Sequence, residues 1–376
     1  MVRGVSEAGE RRPEGSYVQY LAVLPFYRQA FMEVLEERLG RDLVTFAGPR
    51  QLDASVKTGV DRHLYRPLRN VSLGGKALVQ LGGWRAALRA ESAVLDLNPR
   101  SITSWLLLSC RRLTRRRTLL WGHLNPRAGA GSRSSSLREA MRRLGDGTVL
   151  YGYDSVREAR ALNPRVRVWV APNALYRENA MRPATMVGTS RRYIYVGRLV
   201  QSKKVDLLVR ALAEPRLRAV GMELDLVGDG PMRNQLSQLA VDLGVEDRLT
   251  FHGSVTDVET LHGLYRSAVC AVSPGYAGLS VTQSLGFGVP ILVARDEPHA
   301  PEIELRHLGG VTFFDSDSSE SLAEALETVM DRQELQDRED LAARVRVAYS
   351  AERMADGVVR ALQNVPQELD EDGWPA

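Results

Sequence analysis

Residues 269–304 read VCAVSPGYAGLSVTQSLGFGVPILVARDEPHAPEIE, and this stretch decides the fold. An apolar run breaks at Ser273-Pro274-Gly275. Gly278 then precedes apolar residues at helical spacing, Leu279, Val281 and Leu285, and Gly288 and Pro290 lead into a second apolar run at 291–294. The pattern is strand, tight turn, helix, strand. A helix opening at Gly278 presents unpaired backbone N–H groups and the positive end of its dipole beyond the strand end. That is a seat for an anion, most naturally a phosphate.

Working outward, strands and helices alternate. Residues 17–24 predict a buried strand ended by Pro25, 29–39 an amphipathic helix and 42–47 a second strand. Residues 48–75 have no clear period and predict a long irregular loop; 76–90 predict a helix, and the alternation runs on to a strand at 166–170. The polar, aperiodic stretch 172–191 reads as a linker. The pattern then restarts, with strands at 193–196, 223–227, 248–251, 268–272 and 291–294. Residues 341–362 predict a long terminal helical region. At 376 residues the chain exceeds one ordinary core. The class is α/β, with two domains at 16–180 and 191–345, a terminal helix at 346–365, a disordered tail at 1–15 and an acidic tail at 366–376 that is also expected to be disordered.

Composition is that of a soluble globular protein, with 44% hydrophobic and 26% charged residues. No apolar run approaches the roughly 20 residues that span a bilayer. The charged first fifteen residues do not read as a signal peptide. Cys110 and Cys270, in different domains, point to a reducing cytoplasm without disulfides or a zinc site. The net charge of +4 divides unevenly: residues 1–185 hold 31 Lys+Arg against 16 Asp+Glu, the remainder 19 against 30. Much of the excess clusters at 100–143, including Arg111, Arg112, Arg115, Arg116 and Arg117. Two readings stand: solvated helix faces, or attraction to an anionic membrane surface that would make the protein peripheral at the inner face. Nucleic acid is not expected, because no aromatics interleave with the basic run.

Three loops of the second half carry the chemistry, all at strand carboxyl ends, where open α/β sheets bind ligands. Gly197-Arg198-Leu199 is followed by Lys203-Lys204, in a chain with only four lysines. Arginine can fork onto phosphate oxygens while lysine brings a compact charge; the plain alternative is solvated loop charge. Gly228-Asp229-Gly230-Pro231 lacks the dinucleotide fingerprint and is by itself also an ordinary turn. The opening stretch is the third.

The strings YVGRLVQSKKVDLLVRAL (195–212), LDLVGDGP (224–231), LTFHGSV (249–255) and SPGYAGLSVTQSLGFGVPIL (273–292), with PEIE at 301–304, resemble the donor domain of family 4 glycosyltransferases. In the first half, WGHLNPR and APNAL also look like that group. The resemblance implies a GT-B fold, two Rossmann-like doubly wound domains facing across a cleft. The acceptor binds mainly to the first and a nucleotide sugar to the second, and no metal or other cofactor is needed. The terminal helix crosses back to the first domain. Carried over residue by residue, Arg198 and Lys203 hold the donor diphosphate, with Gly197, Gly228 and Gly230 in the surrounding loops. Lys204 stands where glycine is usual, Gly278 and Leu279 start the helix under the phosphates, and Glu302 of the Pro301-Glu302 pair lies near the donor sugar. His123 is a cleft histidine by resemblance, or else a histidine satisfied locally after its strand. The family's two glutamates eight positions apart are here Gly275 and Gln283. Gln283 is expected to accept from ribose hydroxyls through its amide oxygen, whereas Gly275 offers only backbone. A different donor sugar, such as a deoxy or amino sugar, or weaker catalysis follows, with His299, Asp296 and Glu302 near enough to take over. The implied function is transfer, with retention, from a nucleotide-diphosphate sugar to a hydroxyl of a surface glycan, lipid-linked intermediate or natural product. The alternatives are a catalytically silent GT-B protein partnering another transferase, and a sugar-nucleotide epimerase.

Overall fold

The structure is a computed structural model that describes residues 15–52, 56–126, 132–186, 188–332 and 337–375. The tail expected at 1–15 therefore lies, but for Gly15, outside the described residues. The first half holds β1 (Tyr17–Leu21), β2 (Leu43–Ala47), β3 (Arg66–Pro67), a hairpin of β4 (Arg69–Leu73) and β5 (Ala77–Leu81), then β6 (Ser92–Asp96), β7 (Arg117–Gly122), β8 (Gly147–Leu150) and β9 (Arg167–Val170). Between them run α1 (Gln29–Leu39), α2 (Trp84–Arg89), α3 (Ile102–Leu113), α4 (Arg133–Leu144) and α5 (Ser155–Leu162). Seven strands form a parallel sheet in the order β3-β2-β1-β6-β7-β8-β9.

The second half repeats the plan with β10 (Arg192–Val196), β11 (Glu223–Val227), β12 (Leu249–Gly253), β13 (Ala268–Ser273), β14 (Ile291–Ala294) and β15 (Val311–Phe314). Its helices are α6 (Asp206–Ala213), α7 (Pro215–Ala219), α8 (Arg233–Asp242), α9 (Val258–Ser267), α10 (Leu279–Gly286), α11 (Ser319–Asp331), α12 (Arg338–Tyr349) and α13 (Ala351–Gln363). The sheet order is β12-β11-β10-β13-β14-β15, again parallel. Continuous apolar runs such as Ala268–Ser273 are fully buried because helices cover both faces of each sheet.

Three expectations are corrected. Residues 76–90 are not one helix. Gly74 and Gly75, at φ +56° and +67°, close the β4–β5 hairpin, and Gly82 and Gly83, also at positive φ, separate β5 from α2. The terminal helical region is two helices broken at Ser350, whose side chain accepts from Arg353 N–H and caps α13. The acidic end is not a loose tail. Gln367 bonds both the N–H and the carbonyl of Val170 on the edge strand β9. Trp374 stacks on Tyr153 at 4.9 Å, so the apolar residues of this segment anchor it while its carboxylates face solvent.

The helix α13 lies against α1 and β9 of the first domain, adding Met354, Val358 and Leu362 to the core under the first sheet. Gly357 permits this close crossing; a Cβ there would meet the Val170 carbonyl oxygen at 2.0 Å. A second apolar cluster runs unbroken from Leu150, Tyr153 and Val156 of the first half to Leu285, Phe287 and Tyr349 of the second, so the two domains share a core at their junction.

Candidate active site

Each sheet reverses its strand order at one point, between β1 and β6 in the first and between β10 and β13 in the second. Such switch points open a crevice at the strand carboxyl ends. The loops after β10, β11 and β13 are the three singled out in the sequence, and their glycines are where backbone meets backbone. A Cβ on Gly228 would lie 1.8 Å from the Gly197 carbonyl oxygen, and one on Gly230 2.3 Å from that of Leu199. Hydrogen bonds from Gly197 N–H to Val227 O and from Leu199 N–H to Asp229 O, both 2.9 Å, lock the two loops together. Gly275 sits against the lysine loop, with a Cβ there 2.5 Å from the Ser202 carbonyl oxygen and 3.0 Å from Lys203 Cα.

Lys203 is half-buried, donates from Nζ to the Tyr276 carbonyl at 2.6 Å and lies 5.1 Å from the centre of that ring. Lys204 has a different role. It adopts left-handed backbone, φ +49°, the conformation that favours glycine, and its Nζ pairs with Glu297 at 2.5 Å and Asp317 at 2.6 Å. Arg198 is exposed, held by a bond from Tyr195 Oη to its carbonyl. Gly278 caps α10, whose first residue is Leu279.

His299 uses both ring nitrogens on backbone: Nδ1 accepts from Ala277 N–H at 3.0 Å and Nε2 donates to the Ala294 carbonyl at 2.7 Å. Burial lowers its pKa, which agrees with this neutral tautomer. The ring thus ties together the loop before α10, the end of β14 and its own loop. Asp296 is exposed. Gln283 is buried, donating from Nε2 to Tyr176 Oη and accepting at Oε1 from Tyr265 Oη at 3.2 Å. Each end of its amide is thus engaged by one of that tyrosine pair.

Glu302 is 1% exposed and accepts at Oε1 from Asn173 Nδ2, across the domain junction. Its Oε2 is buried with no hydrogen-bond partner among the described residues. Burial raises this carboxyl's pKa, opposed by Arg28 from the first domain and Lys203 from the second.

Between the domains lies a cleft of about 850 Å³. Its first-domain wall comes from the loops after β1 and β6, with Arg28, Asp96 and Asn98, and from His123 and Tyr151 farther along the sheet. Its second-domain wall includes Tyr276, His299 and Pro301. His123 is exposed at the wall with its ring 4.9 Å from that of Tyr151. Arg28 is buried among Tyr27, Phe31, Trp121 and Tyr151, each ring centre 5.1–5.8 Å away, and donates to the sulfur of Met354 on α13. Asp96 accepts from Ala22 N–H at 2.5 Å, and burial pushes its carboxyl up to about 7. Arg28, Asp96 and Asn173 were missed by residue type alone; their place at the carboxyl end of a strand or in the segment that follows one was the available signal.

Glu304, two residues after Glu302, is the junction's main tie. It accepts from Tyr153 N–H at 2.8 Å, Asp154 N–H at 2.9 Å and Tyr349 Oη at 2.6 Å. Burial pushes it up to about 7. Its folded pKa stands above the ordinary carboxylate value, so its protonation stabilises the fold below about pH 4.5, and that contribution is lost as pH rises towards 7. Glu304→Gln leaves Asp154 N–H facing an amide NH₂ and should cost about 1–3 kcal/mol. Urea melts across pH 5–8 check this: the wild type should weaken with rising pH in that window, and the variant should show a shallower slope, keeping the share that Asp96 contributes.

A doubly wound pair of domains with facing switch points is the GT-B architecture, and residues 177–346 match the family of glycosyl transferases group 1. The chain is similar over 93% of its length to the Anabaena protein Alr3699/HepE solved with UDP (TM-score 0.65, 14% identity, all of that chain covered). It is likewise similar to a glycosyltransferase from Rickettsia africae (TM-score 0.64, 12% identity, 93% of this chain and 98% of that one). Among curated proteins, it is 31% identical over 219 residues to a GDP-mannose-dependent alpha-(1-6)-phosphatidylinositol monomannoside mannosyltransferase of Mycobacterium tuberculosis, covering 52% of this chain and 56% of that protein. It is 29% identical over 175 residues to the lipopolysaccharide core biosynthesis glycosyltransferase LpsE of Rhizobium meliloti, covering 46% and 49%. The chain thus spans about half the length of the curated relatives it matches.

Proposed function

We propose that the protein transfers a sugar from a nucleotide-diphosphate sugar to a hydroxyl acceptor, the donor lying on the second domain and the acceptor on the first. The observation that carries this reading is the convergence at the β10/β13 switch point of Lys203, the interlocked Gly197, Gly228 and Gly230 loops and the amino end of α10. Breaking the anomeric C–O bond puts negative charge on the departing diphosphate. Lys203 and the α10 N–H groups are in place before that charge develops and stabilise it, the kind of preorganised electrostatics that dominates many rate enhancements, and the exposed Arg198 side chain is free to swing onto the phosphate oxygens. The acceptor hydroxyl then attacks an electron-poor sugar carbon at the cleft wall bearing His123, with retention of configuration and no metal, as the family resemblance implies.

The test is calorimetric titration with GDP, UDP, dTDP and ADP. GDP and UDP come first because mannosyltransferase relatives are GDP-mannose-dependent and a structural neighbour holds UDP. One tight binder, followed by slow hydrolysis of the matching sugar nucleotide without acceptor, is the expected result. Silence from all four sinks the reading and moves a silent partner protein ahead.

A further inference from the structure

We propose that the outer surface of α2, α3 and α4 docks on an anionic lipid bilayer. These helices cover one face of the first sheet, packing Ala87, Leu107, Leu108 and Met141 against it. Their opposite sides are also apolar, which a helix facing only water does not need. On α3, Ile102, Leu106 and Leu113 stand exposed at helical spacing, Leu106 by 56% and Leu113 by 84%. On α2 the exposed pair is Trp84 and Leu88, and on α4 it is Leu137 and Leu144.

Charge selects the occupant. Residues 84–117 contain eight arginines and two carboxylates. The structure sorts these arginines into two kinds. Arg111 is buried and donates to the carbonyls of Ala87, Ala90 and Arg117, and Arg117 donates to those of Ala361 and Leu362, so both are structural. Arg85, Arg89, Arg100, Arg112, Arg115 and Arg116 are exposed, with Arg112 lying 3.7 Å from Asp146. Apolar side chains rimmed by arginine suit a surface with anionic headgroups over hydrocarbon. The same helices reach the cleft: Asn98, Pro99 and Arg100 lead into α3, and Ser134 and Arg138 of α4 help to line it. An acceptor carried by the bilayer would therefore meet the cleft mouth; this last clause alone rests on the transferase reading.

The test is co-sedimentation of the full chain with vesicles of phosphatidylcholine alone and with phosphatidylglycerol in equal parts. Binding only to the anionic vesicles is expected, falling as salt rises from about 0.1 M to about 1 M and the Debye length shrinks from about 10 Å to about 3 Å. Arg115→Ala and Arg116→Ala should each weaken partition about fivefold. Leu106→Asp with Leu113→Asp should bring it to background while nucleotide binding in the absence of vesicles stays intact. No binding to anionic vesicles overturns the proposal. So does a dimer that the double leucine variant breaks and lipid leaves unchanged. Vesicle binding without any nucleotide binding would instead retire the transferase reading and leave the docking surface standing.

Discussion

Gly275→Ala should lower turnover of the sugar nucleotide by about 10- to 100-fold, although alanine adds one methyl group and φ at this residue lies outside the left-handed region. The added Cβ would sit 2.5 Å from the Ser202 carbonyl oxygen and 2.9 Å from the Lys203 carbonyl carbon, both backbone atoms. No rotamer change relieves that contact, so the lysine loop must move. Overpacking of this kind costs about 1–3 kcal/mol, and here the displaced segment carries Lys203. The informative comparison is Gly275→Glu, which supplies the carboxylate that the family resemblance would have at this position. It should be worse than alanine. Donor hydrolysis by the two variants, with thermal melts of each, measures the effect; a Gly275→Glu enzyme faster than wild type would mean that the contact is not what keeps glycine here.

Lys203→Ala should reduce turnover by about 10²- to 10³-fold, the range for losing one preorganised donor to developing charge. It also gives up the hydrogen bond to the Tyr276 carbonyl and the contact with that ring, together worth about 1–2 kcal/mol, so the apo melting temperature should fall by only a few degrees. A large fall would make Lys203 structural. Lys203→Arg should recover part of the activity at most, since the site is shaped around a compact ammonium and not a planar fork. Lys204→Ala serves as the control: it breaks ion pairs with Glu297 and Asp317 while leaving Lys203 in place. Steady-state kinetics and nucleotide affinity should separate the neighbouring lysines cleanly.

Much of the fold could be read in the chain because its strongest signals are local. Apolar runs bounded by Gly and Pro, such as 268–273 and 291–294, set strand positions without help from the tertiary structure. The errors fell where two neighbouring residues changed the backbone path: the Gly74-Gly75 and Gly82-Gly83 pairs turned an apparent helix into a hairpin. The acidic end was misread because composition weighs Glu368, Asp370, Glu371 and Asp372 more than a single Trp374, while docking depends on the tryptophan. At the site, loop glycines signalled close approach, but what they approach is visible only in three dimensions. Gln283 has a residue type suited to ribose, yet Tyr176 and Tyr265, distant in sequence, take its amide. Glu304 drew no attention because its partners lie more than 40 residues away.

The return of α13 to the first sheet bears on how the chain is made. The core beneath that sheet includes Met354, Ala355, Val358, Ala361 and Leu362, so the first sheet lacks part of its cover until these residues, made after every strand of the second sheet, have left the ribosome. During that interval the second domain, whose sheet lies wholly within residues 192–314, has its strands complete and can fold first. The order of folding would then run against the order of synthesis, and the exposed first sheet is the surface a nascent-chain chaperone would meet.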